Sequence, residues 1–405
     1  MSSDYGRDFE THAARVGNGL TRLGKRVEGF WQRVTDGITL QVLWSQFVSE
    51  ARESYSLYSR EIDWESLRKE SRGRRYLKTA NALFWALVMK LSPARRVFLL
   101  IALFFAVVAL TNSQVNISSS NSQHNVEVAP PNNFVAVLLS VSALLVLLAL
   151  ELADRVTMKR DLEIAREIQR WLVPESPPQV PGAEMAFFSR PANTVGGDYY
   201  DAFLRASPGS APGAKRLLLV VADVAGKSVP AALLMATFQA SLRTLAAANT
   251  SLVELVEGMN RYACAHSLGG SRFTTAFFAE FDPETRALSY IRAGHNVPLI
   301  RRASGHLEFL DSGDLPLGIH AETRFNCAAT TLGPSDLLVV FTDGLIEAVN
   351  DAGQEFGEAR VFEVVKSSSG AGAQGTLKNL LLAVDAFVGH ARQHDDLTCL
   401  LLRTN

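Results

Sequence analysis

Cysteine is nearly absent from this chain: Cys264, Cys327 and Cys399 are the three in 405 residues, and no two form a CxxC pair. That usage excludes a disulfide framework or a cysteine-built zinc site and fits a reducing compartment. An excess of charge of either sign is also lacking, the formal net charge being -1. No global field draws in nucleic acid, and none is expected as a partner. The first apolar run begins only at Val97, too far from the N-terminus for a cleaved signal peptide. A glycine is missing where a nucleotide loop would need it. Gly226-Lys227-Ser228 stands between a strand-like and a helix-like stretch, but five residues earlier is Val221, whose branched side chain cannot line a phosphate cradle. A cysteine phosphatase loop is excluded similarly, because seven residues separate Cys264 from Arg272.

Long uncharged runs are present. Val97 to Leu110 and Phe134 to Leu150 carry no charge, and the excess of a 47% apolar composition is concentrated in them. The second is long enough to span a bilayer, and the first becomes so when extended to Val115. Lys90, Arg95 and Arg96 precede the pair, Arg155, Lys159 and Arg160 follow it, and Glu127 is the one charge in 112–133. This asymmetry argues against a buried hairpin in a soluble core. It predicts two transmembrane helices, about 97–115 and 134–150, joined by a short external loop. The protein is then a multi-pass protein of the cytoplasmic (inner) membrane, with both chain ends inside and membrane lipid as a partner.

Residues 1–95 are polar and basic, with apolar residues at helical spacing over 37–60. They are expected to form a helical cytoplasmic region, either a bundle or a surface lying near anionic lipid. Over 151–173, Met158, Leu162, Ala165, Ile168 and Leu172 form a short seam on a predicted linker helix. That seam suits homodimerisation or packing on the following domain. Pro174, Pro177, Pro178 and Pro181 end it, giving a linker over 151–182. From 183 to 404 short strand-like runs (216–222, 274–281, 287–292, 337–342, 397–402) are interspersed with helical stretches at 229–248, 251–267 and 375–391. Strict βαβ alternation is lacking, so the fold class is α+β with layers of sheet and helix.

Four aspartates sit at or beside the ends of such runs: Asp198 in GGDYYD, Asp223 in DVAGKS, Asp343 in FTDGLIEA and Asp395 in HDDLT. Carboxylates gathered in one place repel unless they are protonated or hold a cation. An all-oxygen set suits magnesium, manganese or calcium. Metal-assisted chemistry on a phosphate follows. Asp396 is an alternative to Asp395, Asp201 is either a neighbour of the metals or a loop hydrogen-bonder, and His295 reads as structural.

The ordered set GGDYYD (196–201), DVAGKSVPAALLMA (223–236), RFTTAFFAEFD (272–282), AGHNVPL (293–299), DLPLGI (314–319), FTDGLIEAVN (341–350) and DDLT (395–398) resembles the SpoIIE/RsbU-like branch of the PPM-type serine/threonine phosphatases. EIQRWLVPESPPQVPG (167–182) resembles the entry to that domain. The resemblance covers about 165–404. It implies a β-sandwich flanked by helices in α-β-β-α layers, with two Mn or Mg ions at one end. By position, Asp223 would bridge the ions and the Val224 carbonyl would bind one. Asp343 and Asp395 would complete the other, and Asp198 would act at the pair directly or through water. The implied substrate is a phosphoserine or phosphothreonine protein, an anti-sigma-factor antagonist in a partner-switching pathway. Two other readings are a non-catalytic phosphatase-like receptor or scaffold and a metal-dependent nucleotidyl cyclase. The family commonly carries His-Gly where this chain has Lys227-Ser228, which leaves open whether Lys227 meets substrate phosphate.

Overall fold

The computed structural model describes residues 91–111, 133–206, 208, 215–266 and 272–405. The 37–60 helix, most of 1–95 and the external loop therefore lie outside the described residues. The chain divides into two units between Ala153 and Asp154.

In the first unit, α1 (Pro93–Thr111) and the start of α2 (Phe134–Leu172) expose most of their apolar side chains. Leu110 is 75% and Phe134 72% exposed. Both are long and apolar enough to cross a membrane. Where they meet, small residues are buried: Ala102, Ser140 and Ala143. Ser140 Oγ donates to the Ala102 carbonyl at 3.0 Å and Asn133 Nδ2 to that of Ala109 at 2.9 Å. Such contacts hold helices together in lipid, where apolar burial gives no net drive. Arg95 pairs with Glu151 at 3.1 Å. The helix that begins at Phe134 is continuous to Leu172, 39 residues in all.

The second unit is built on two five-stranded antiparallel sheets. One runs β2 (Tyr199–Arg205), β3 (Arg216–Val224), β4 (Thr274–Phe281), β5 (Ala287–Ala293), β8 (Ala328–Thr331). The other runs β1 (Ala183–Arg190), β10 (Leu397–Thr404), β9 (Leu337–Phe341), β6 (Leu299–Arg301), β7 (Leu307–Phe309). The continuous apolar runs of the central strands are explained by burial on both faces. In β3, Leu217, Leu219 and Val221 point between the sheets, toward Ile300, Leu338, Val340, Leu400 and Leu402. Leu218, Val220 and Ala222 point the other way, under α3 (Ser228–Ala246) and α4 (Leu252–Ala265). The second sheet is covered by α6 (Gly357–Ser367) and α7 (Ala373–Val388), which pack on Val339, Phe341, Cys399 and Leu401. A single helical turn, α5 (Asp343–Ile346), follows β9. The order of layers is helix, sheet, sheet, helix, as the sequence leads one to expect.

The core also contains a charged pair. Arg205 Nε lies 2.6 Å from Glu280 Oε1, with both side chains almost fully buried, and Arg205 Nη2 donates to the Thr250 carbonyl. Removing one partner strands the other charge away from water. Glu280→Ala is therefore expected to lower the unfolding free energy of this unit by about 3–5 kcal/mol, measured by urea titration followed by circular dichroism.

Candidate active site

The register of the strands decides where the aspartates go. Tyr199 pairs with Ala222, so Asp198, one residue before β2, falls beside Asp223 near the end of β3. In the other sheet Cys399 pairs with Phe341, which brings the residues just after β9 beside those just before β10. Asp343 and the Asp395-Asp396 pair therefore meet at the same end of the sandwich as Asp198 and Asp223. Two hydrogen bonds fasten one sheet's loop to the other. Thr342 Oγ1 donates to Asp198 Oδ2 at 2.9 Å, and Gly197 N–H donates to Asp396 Oδ2 at 2.6 Å.

The electrostatics are those of carboxylates crowded out of water. Burial, and then the charge of Asp223, hold Asp198 well above the usual carboxylate range, while Thr398 and Thr342 pull it partly back. Asp223 is pushed up to about 7 by burial and by Asp343, Asp395 and Asp396, with a hydrogen bond to Asp198 opposing. Asp343 is raised by burial and by Asp395. Asp396 is raised by burial, against hydrogen bonds from Ala192 and Gly197. Each shift says the same thing: the second and later negative charges are unwelcome here unless a cation joins them. Among the described residues no three His, Cys, Asp or Glu side chains stand as a finished metal cluster. The donors are nonetheless all oxygen, buried or half-buried and mutually repelling, a set that suits a hard divalent ion.

The neighbouring residues divide clearly. Both oxygens of Asp396 accept backbone N–H groups, from Ala192 at 2.7 Å and from Gly197, so this carboxylate holds the 192–197 loop. Asp395 accepts the Asp396 N–H on Oδ1 at 3.0 Å and the Lys227 ammonium on Oδ2 at 2.8 Å. Asp201 lies apart from the cluster. It is fully buried, accepts from the Tyr199 hydroxyl, and takes two bonds of 2.7 Å from the Arg243 guanidinium. His295 is buried, with Nδ1 3.2 Å from Thr275 Oγ1. Burial and Arg292 push it down to about 3, which makes it a neutral structural imidazole.

One contact was not singled out from the sequence. Gln169, near the end of α2, donates to the Gly196 carbonyl at 2.7 Å and accepts the Gly196 N–H at 3.2 Å. Its side chain thus acts as a short strand against the loop that presents Asp198. With Arg166, Arg170, Tyr200, Asp198 and Asp396 it lines a cavity of about 190 Å³. A lone glutamine on an otherwise charged helix gives no sequence signal for this.

The approach of the two loops leaves no room for side chains. A Cβ on Gly344 would lie 2.0 Å from the Asp396 carbonyl oxygen. Gly344→Ala is expected to force the start of β10 away from α5 and to destabilise the unit by about 1–3 kcal/mol, read as a lowered thermal midpoint.

Comparison with known proteins places this geometry. Residues 213–405 match the family model described as Stage II sporulation protein E (SpoIIE). The chain is 26% identical over 322 residues to protein IcfG of Synechocystis sp., a match covering 72% of this chain and 48% of that protein. It thus spans about half the length of that relative. It is 26% identical over 250 residues to the phosphoserine phosphatase RsbU of Bacillus subtilis, covering 61% of this chain and 70% of RsbU. The SiaA-PP2C domain of Pseudomonas aeruginosa superposes with a TM-score of 0.54 at 19% identity, over 62% of this chain and 99% of that domain. At that identity the likeness speaks for the fold. Residues 213–405 are thus similar to the SpoIIE family, most of the chain is similar to RsbU, and the fold is that of the SiaA-PP2C domain.

Proposed function

We propose that this protein is a membrane-anchored, metal-dependent phosphatase acting on phosphoserine or phosphothreonine in a protein. The observation that carries the reading is the meeting of Asp198, Asp223, Asp343 and Asp395, from both sheets, in one partly buried and mutually repelling cluster. Asp223 feels Asp343, Asp395 and Asp396 and is hydrogen-bonded to Asp198, the position suited to a carboxylate shared by two Mn or Mg ions. The Val224 carbonyl would serve as a neutral ligand, and it lies beside the loop that presents Asp198, 2.9 Å from where a Cβ on Gly197 would stand. Asp343 and Asp395, on the other sheet, suit the far side of the pair, and Asp198 the near side. Such ions, when bound, make water a nucleophile near neutral pH and offset charge developing on the phosphoryl oxygens. The chain's own part is to hold the carboxylates in register, to keep Asp198 oriented through Thr342, and to keep the 192–197 loop closed through Asp396.

The substrate proposed is a phosphorylated anti-sigma-factor antagonist in a partner-switching pathway. This rests on the likeness to RsbU, which is described as a phosphoserine phosphatase. The apolar exposure of α1 and α2 supports a multi-pass anchor in the cytoplasmic membrane, with lipid around it and the phosphatase unit inside. Met158 and Ile168, exposed on α2, support a homodimer formed along the linker. The proposed organisation is a cytoplasmic region over 1–95, spans within 96–150, a linker over 151–182 and the phosphatase domain over 183–404.

Three outcomes are expected. The purified chain releases phosphate from a phosphoserine peptide when Mn or Mg is supplied, stops on chelation and recovers on re-addition. Asp223→Ala and Asp343→Ala lose more than about 100-fold in kcat/KM while unfolding as cooperatively as the parent; full activity in either variant would sink the assignment. In cell fractions, alkaline carbonate is expected to leave the protein in the membrane pellet, and its release into the supernatant would count against spanning helices.

A further inference from the structure

The surroundings of Lys227 give it a task. The residue is held in an unusual turn. Gly226 has φ +123° and Ser228 φ +63°, so Lys227 is flanked by two left-handed positions, one filled by a residue with a side chain. Strain of this kind persists where the surrounding structure insists on the geometry. The turn aims the Lys227 ammonium across the mouth of the carboxylate cluster. Nζ donates to the His394 carbonyl at 2.8 Å and pairs with Asp395 Oδ2 at 2.8 Å. It is the cation that Asp343 and Glu347 feel as well.

The decisive detail is at Asp395. Its Oδ1 already accepts the Asp396 N–H. Oδ2 is free of backbone bonds and is the more open oxygen for a metal ion, and Lys227 is bound to it. An ammonium and a divalent ion cannot share that oxygen at bonding distance without repelling one another.

We propose that Lys227 is a tethered cation that competes with the divalent ion for Asp395 and thereby sets the metal concentration at which this side of the site fills. The proposal rests on the metal-dependent reading above and adds a control on it. When metal is scarce, the ammonium neutralises Asp395 and keeps the carboxylate cluster stable without an ion. When metal rises, the ion takes Oδ2 and Lys227, half-exposed, swings out toward solvent on its flexible stem. The bond broken is an ion pair and the bond formed is a carboxylate–metal contact, with no proton transferred.

The test is calorimetric titration of manganese(II) chloride into the full chain in detergent, after chelator treatment and dialysis. Lys227→Met keeps the stem and removes the charge. It is expected to tighten the weaker manganese site about two- to fivefold, the upper range of a partly exposed ion pair. The difference from the parent should shrink as potassium chloride is raised from about 0.05 to about 0.5 M, since the competing pair is screened. Lys227→Arg, which keeps the charge, should stay within about twofold of the parent. Lys227→Gln serves as the second neutral variant should Lys227→Met fold poorly. Equal or weaker manganese binding in the neutral variants would overturn the proposal. A raised KM for a phosphoserine peptide with unchanged manganese affinity would overturn it too, and would make Lys227 a substrate anchor instead. A parent chain that binds no manganese and releases no phosphate would sink the phosphatase reading itself, a different result from binding that ignores Lys227.

Discussion

Like charges pressed together out of water have to be held there against their own repulsion, and the second unit is organised around doing so. Asp198 and Asp223 come from one sheet, Asp343, Asp395 and Asp396 from the other. They meet because the two sheets are locked face to face by an apolar layer in which Leu219, Val221, Leu338, Val340 and Leu400 interdigitate. The helices on either side seal the outer faces, so neither sheet is free to slide. A rigid frame of this kind can hold a high-energy arrangement of carboxylates at its rim, because the cost is spread over a core much larger than the site.

The finer devices at the site all act on loops. Thr342 and Gly197 tie the two sheets' ends together across the cluster. Asp396 uses both carboxylate oxygens on backbone N–H groups, whereas its neighbour Asp395 faces the Lys227 ammonium. Two adjacent acidic residues thus have different duties: one is a brace for the loop, the other is available to a cation. Gln169 adds a contact of another origin, since the helix that begins at Phe134 ends with that side chain against Gly196.

Much of the fold was legible in local pattern. The all-apolar run of β3 announces a strand buried on both faces, and the proline cluster after Leu172 stops α2 where a helix breaker should. The four aspartates could be picked out because each sits in a short motif beside a strand end. What local pattern could not convey was how polar groups partner at a distance. Asp201 is as conspicuous in GGDYYD as Asp198, yet it lies within β2 and is taken by Tyr199 and Arg243, a residue 42 positions away. His295 is conspicuous in AGHN and proves to be a buried neutral ring on Thr275. Gln169 gave no signal at all, because a hydrogen bond to a loop backbone depends on where the loop arrives and leaves no periodic trace.

The sequence by itself determined the layered α+β architecture, the two apolar helices, and the set of acidic residues from which a metal site could be built. It did so because burial imposes periodicity and strand ends collect motifs, both of which are written locally. Only the tertiary structure decided which carboxylates share one volume, which are tied to backbone, and which faces Lys227. Those outcomes depend on strand register and on the meeting of the two sheets, and a one-residue change of register would have sent the same aspartates to different places.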